Sequence, residues 1–306
     1  MDNGPESVTP AVSVLSQLCL DRYPIVKASH PGEGRRRWKL RVADEFWASS
    51  PDAKTQVAQG AQRIISETVA GSDFSKDRDP YDDLSTDAQG LGILLRTDYS
   101  DEGAWTDFCA KLDEAQRQLL SDFGAENSEE AGANERSPQT DGDVEMLEEE
   151  EEEDDDDDEA SPVFAIINPP SPASREILTS ISNLTALRLL NDVDIRAAPV
   201  RPQGTKPMKP PNRLVDHSGW QEIYTGKTVW IYDKKSNTDQ CVRLVSQKAD
   251  MYGTATADSW RARVSHICEL QVNLASGAMA IDFGGLDRWD YTERVRNLEE
   301  ALQPIR

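Results

Sequence analysis

Twelve carboxylates in unbroken succession, Glu148 to Glu159, set the first limit on how this chain can fold. Their mutual repulsion opposes any compact arrangement, and no base lies between Asp141 and Glu159 to neutralise them. Large apolar side chains are almost absent from 124 to 161, where only Val144, Met146 and Leu147 occur. Such a composition cannot bury enough surface to offset the entropy of ordering, so 124–161 is expected to be a disordered acidic insertion. The folded part must be built from the stretches on either side.

The run also accounts for most of the chain's charge. Of 56 acidic residues against 33 basic ones, fifteen fall within 141–159, so the remainder carries −8 rather than −23. A mildly acidic remainder argues against direct nucleic-acid binding, which needs a dominant basic face. No stretch approaches the roughly 18 apolar residues of a membrane span, and none is expected. The opening Met-Asp-Asn-Gly-Pro-Glu has no cationic start leading into an apolar segment, so no secretory signal is read there. Four cysteines are too sparse for a disulfide scaffold. The expectation is a cytoplasmic or nuclear protein with free thiols.

Residues 1–75 read as a helical N-terminal region. Thr9-Pro10 offers a helix start, and Val14, Leu15, Leu18 and Cys19 share a face up to about Tyr23. Ser50-Pro51 repeats the signal ahead of Val57, Ala61, Ile64, Ile65 and Val69. Between the helices, Arg35-Arg36-Arg37-Trp38-Lys39-Leu40-Arg41 reads as a solvated strand edge with Trp38 and Leu40 turned inward, or alternatively as a nuclear-localisation or anion-binding patch. Residues 76–89 form a linker in this reading.

From 90 to 303 the pattern predicts one α/β domain interrupted by the insertion. Gly92–Arg96 and Val163–Ile167 are short apolar runs expected to be buried strands, each leading through a turn into a helix. The second helix carries a break near Asn183, and a short strand follows at 193–196. Residues 199–213 hold five prolines among bases and predict an extended basic loop. Trp220–Tyr224, Thr228–Asp233 and Gln240–Ser246 are expected to form a three-stranded meander. Alternation from Trp260 to Leu274 suggests a long, bent strand, returning through Met279–Phe283 before a closing helix at 291–302. The fold class is α+β (mixed α/β): a sheet with flanking helices, an acidic disordered insertion and a helical N-terminal region.

Leu94-Leu95-Arg96-Thr97-Asp98-Tyr99 followed by Trp105, together with Trp260-Arg261, Asn273-Leu274 and Met279-Ala280-Ile281-Asp282-Phe283, resembles the opening and ending of a small uncharacterised α/β domain family of bacteria and fungi. The chain as a whole looks like a hypothetical protein of filamentous fungi. The resemblance covers two blocks, at 92–112 and 258–285, and implies a single domain spanning the acidic run without supplying a mechanism. It requires Gly92–Arg96 and Val163–Ile167 to share a sheet.

Arg96 and Asp98 sit where a strand passes into a helix, a common ligand position in open α/β sheets, and Asn273 and Asp282 could line the same polar pocket. The competing reading makes Asp98 a helix cap and pairs Arg96 with Asp282. His266 and Cys268 would project together from one strand face, though no orienting third group accompanies them. No Cys-x-x-Cys, His-x-x-x-His, Walker or nucleophile-elbow spacing occurs, so neither a metal nor a cofactor is expected. Two classes of function remain open. One is a non-enzymatic intracellular binding or scaffold protein whose Glu148–Glu159 run engages basic partners or screens the bases at 35–41 and 201–213. The other is an enzyme or small-ligand-binding domain with its pocket at the Arg96–Asp98 turn. Ser-Pro pairs at 137, 161 and 171 surround the run and could add phosphate charge to it.

Overall fold

A computed structural model describes residues 13–64, 74–82, 90–132, 162–200, 203–204, 206–207, 209–246, 257–281 and 290–305. Among them nine helices surround a mixed five-stranded sheet and a two-stranded ladder, an α+β architecture. The N-terminal helices are α1 (Val14–Ser29), α2 (Arg35–Ala48) and α3 (Pro51–Ile64). Then come β1 (Gly92–Arg96), α4 (Glu102–Gly132), β2 (Phe164–Ile167), α5 (Pro172–Leu178), α6 (Asn183–Leu190), β3 (Asp192–Ala197) and β4 (Trp220–Thr225). The chain continues with β5 (Thr228–Tyr232), α7 (Ser236–Asp239), β6 (Cys241–Val245), β7 (Ser259–Arg263), α8 (Val264–Ser276) and α9 (Tyr291–Glu300).

The large sheet has the order β2-β1-β5-β6-β7. β1 runs parallel to both neighbours, Gly92 facing Phe164 on one side and Thr228 on the other, and the remaining pairs are antiparallel. Its central strands are apolar on both faces because both faces are covered. Ile93, Leu95, Ala165, Ile167, Val229 and Ile231 point into a core shared with α1, α2, α6 and the β3–β4 ladder. Leu94, Phe164, Trp230, Tyr232, Val242 and Leu244 point the other way, into a core with α4 and α8. The acidic run falls in the crossover between β1 and β2, two strands that lie side by side.

Several expectations are corrected. α1 begins at Val14, capped by Ser13, and continues through Pro24 to Ser29 instead of stopping near Tyr23. Residues 35–41 open a helix; Trp38 and Leu40 are buried as expected, but from a helical face. α4 runs to Gly132, beyond the expected start of the insertion at 124, and residues 133–161 lie outside those described. β4 pairs with β3, not β5, so the meander is really a β5–β6–β7 unit beside a separate ladder. The alternating stretch after Trp260 is strand only to Arg263 and helix from Val264, with Val264, Ile267, Cys268 and Gln271 on its buried face. No strand forms over 279–281, and Asp282 and Phe283 lie outside the described residues.

Candidate functional site

β1 leads from its C-terminal end to α4 on one face of the sheet, while β2 leads to α5 and α6 on the other. The crevice between those two strand ends is the topological position where open α/β sheets take ligands. In this protein its own side chains occupy it. Arg96 is fully buried; its Nε donates to the Asp98 carbonyl at 2.9 Å and its Nη1 to Glu102 Oε2 at 2.8 Å. Its guanidinium lies between the rings of Tyr99 and Trp105, at 4.9 and 4.8 Å. From α5, Arg175 covers Tyr99 at 5.1 Å, donates to the Pro169 carbonyl and reaches Glu102 Oε1 at 3.3 Å. Glu102 therefore bridges two guanidiniums, and the hydrogen bond from Arg96 foremost holds its carboxyl below the usual range.

Asp98 is likewise engaged locally. Its Oδ1 accepts from Ser100 N and Oγ and from Asn237 Nδ2 at 2.9 Å. Burial pushes this carboxyl up, but those hydrogen bonds outweigh it and leave the group below its ordinary value. The cap of α4 is Asp101, which accepts from Ala104 N at 2.9 Å, not Asp98. Among the described residues the salt-bridge partner of Arg96 is Glu102; the expected pair with Asp282 lies outside them.

Asn273 is not brought to this edge. Two residues before it, Gln271 accepts from Trp230 Nε1 at 2.8 Å and lies so close to Gly92 that a Cβ there would sit 2.7 Å from its Oε1. Gly92 begins β1 and Asp98 lies past its other end, so Asn273 is at the opposite margin of the sheet. Asp282 falls outside the described residues. His266 and Cys268, two apart on a helix, project about 200° from each other, and only Cys268 is buried. Burial pushes the thiols of Cys109 and Cys268 up to about 11 and that of Cys19 to about 12, leaving them protonated at neutral pH. Among the described residues no cluster of His, Cys, Asp and Glu is grouped to hold a metal ion. None of their helices is long and apolar enough to cross a membrane.

The other face holds a denser charge network, unmarked in the sequence except by an acidic residue in mid-strand. Glu222 of β4 is fully buried. It accepts from Tyr224 Oη at 2.5 Å and from Trp47 Nε1 at 2.9 Å, with Arg188 and Arg213 at 3.5 and 3.4 Å. Burial alone would push this carboxyl up, but the two arginines and the two donors keep it below its ordinary value. Arg188 also reaches Tyr224 Oη and Glu300, and Arg213 also binds Asp44 at 2.5 Å.

The arginines of α2 are absorbed in the same way. Arg36 bonds Asp79 and Asp82, both at 2.9 Å, and the Asp79 carboxylate also takes Arg36 N, tying the 79–82 turn onto the start of α2. Gly34 permits this approach, since a Cβ there would lie 2.3 Å from Pro80 Cδ. Arg35 pairs with Asp82, Lys39 with Asp192, and Arg41 with Glu33. Beside these pairs lies a cavity of about 690 Å³ between α2, the 79–81 turn, α6 and residues 300–305. No family model, curated protein or solved structure matches this chain, so its reading rests on the residues themselves.

Proposed function

We propose that this chain is a non-enzymatic intracellular binding or scaffold protein whose Glu148–Glu159 run engages basic partners. The observation that carries the reading is the adjacency of β1 and β2. Both ends of the segment bearing the run are rooted in the same sheet. The carboxylates therefore belong to an excursion from one folded unit, in keeping with a segment offered to other molecules. The bases of 35–41 weigh against the run serving to screen the chain's own charge. Four of those five already have carboxylate partners at 3.3 Å or less, and Arg213 is buried against Asp44 and Glu222. Against an enzyme at the Arg96–Asp98 turn stand the internal partners that Arg96, Asp98 and Glu102 already hold among the described residues.

The test is affinity capture of basic proteins by the full chain and by a variant lacking 141–159, at about 50 and 300 mM salt. Capture that weakens with salt and is lost on deletion is the expected result. An unchanged set of partners after deletion sinks the reading.

A further inference from the structure

The cavity beside α2 has the dimensions of a small-molecule site, about 690 Å³, within the few-hundred to thousand Å³ such sites occupy. Its walls are chiefly apolar, with Leu40, Pro80, Tyr81, Leu189, Pro304 and Ile305 contributing. The charged groups in its lining are not equivalent. Arg36 is ion-paired with Asp79 and Asp82, and Arg188 with Glu222 and Glu300 beside Tyr224; the nitrogens they leave without a hydrogen bond, Arg36 Nε and Arg188 Nη2, are buried. Arg37 differs. Its only ionic partner among the described residues is Glu33, at 3.5 Å. Both oxygens of Glu33 are already taken by the Arg41 fork, at 2.6 and 2.5 Å. Arg37 therefore keeps its planar donors on a 40 % exposed side chain at the rim of an apolar hollow.

From this pairing we infer that the cavity binds a small apolar molecule bearing a single carboxylate, its hydrocarbon body against Leu40 and Leu189 and its anion on Arg37. A guanidinium fork matches a carboxylate in two parallel hydrogen bonds. A second anionic group on the ligand would meet Glu33, Asp79 or Glu300 in the same lining, which selects against di-acids.

The probe is 2-naphthoate, with neutral 2-naphthol as its control, titrated calorimetrically into the full chain. The wild type should bind naphthoate saturably at one site and naphthol about tenfold more weakly. Arg37→Gln should bring naphthoate down to the naphthol level and leave naphthol itself unchanged. Leu189→Trp, which fills the hollow, should abolish both, with its far-UV circular dichroism checked against the wild type. No saturable naphthoate binding by the wild type overturns the inference, and so does undiminished naphthoate affinity in Arg37→Gln. That substitution is on an exposed side chain, so the test does not depend on the fate of the tryptophan variant.

Discussion

At the scale of single residues, the telling positions are buried charges, and Lys54 is the least conventional of them. It is 1 % exposed and has no carboxylate partner among its hydrogen bonds. Its Nζ donates to the Trp47 carbonyl at 3.1 Å, faces His217 Nδ1 at 3.0 Å and lies over the rings of Phe46 and Trp47. An ammonium can only donate, so His217 must accept through Nδ1 and carry its proton on Nε2. Burial first, and then the charges of Lys54 and Arg213 against that of Asp216, push the His217 pKa below its ordinary value of about 6.5. The unfolded chain therefore takes up this proton first as pH falls. The stability tied to neutral His217 is fully present above about pH 6.5 and is lost as pH drops from there through the lowered folded value, by up to about 1.4 kcal/mol per pH unit. Lys54→Met removes the opposing cation and should flatten that loss. Urea midpoints of both proteins at pH 7.5 and 5.5 read the difference, and parallel pH dependences would show that the two groups are not coupled.

At the scale of elements, the joint between α6 and α9 is polar where packing would ordinarily be apolar. The first amides of α6 need acceptors, and Ser182 supplies only one, for Thr185 N at 2.9 Å. α9 supplies the others: Glu293 Oε1 takes Asn183 N at 2.7 Å and Asn297 Oδ1 takes Leu184 N at 3.3 Å. Asn297 Nδ2 also donates to the Ala257 carbonyl at 3.1 Å, so one buried amide serves three segments. Asn297→Ala should cost about 1–3 kcal/mol, because it strands the buried Leu184 amide, while the Ala257 carbonyl keeps Asn183 Nδ2 as a donor at 2.9 Å. The first-turn amides of α6 should then exchange faster with deuterium, and protection unchanged at Leu184 would contradict the capping role. The sequence marked α9 by Tyr291, Val295 and Leu298, yet the residues that do the joining, Glu293 and Asn297, carry no periodic signal. α8 was misread for a related reason. Val264-Ser265-His266-Ile267-Cys268 satisfies both a two-residue and a 3.6-residue period, and Ser276-Gly277 suits a hairpin as well as the left-handed cap that Gly277 makes at φ 77°. β1 and β5 were legible because a strand covered on both faces must be apolar throughout, whereas β2, at the sheet edge with Ile166 exposed, was legible from its apolar composition alone.

At the scale of the whole molecule, what local patterns cannot hold is partnership across long separations. Arg96 and Asp98 stood out, but Arg175, which closes the stack over Tyr99, comes from beyond the insertion, and the partners of Arg36 come from the 79–82 turn. What could be read was where the insertion belongs, since the apolar strands on either side of it fit one sheet, and β1 and β2 are neighbours there. That adjacency makes a prediction about stability that is independent of any partner. β2 is fixed by its ladder to β1 and by Val163 N donating to Gln116 Oε1 of α4 at 3.1 Å, contacts formed outside 141–159. Removing 141–159 shortens the connection between Gly132 and Pro162 roughly threefold, which lowers the closure cost of an unconstrained loop by about 1 kcal/mol. It also brings the formal charge from −23 to −8, relieving self-repulsion in the folded state. Both effects have the same sign, so the deletion variant should unfold cooperatively at a midpoint about 2–4 °C higher, most clearly at low ionic strength. A lower midpoint, or a transition split in two by circular dichroism and fluorescence, would mean that the run contributes to holding β1 and β2 together.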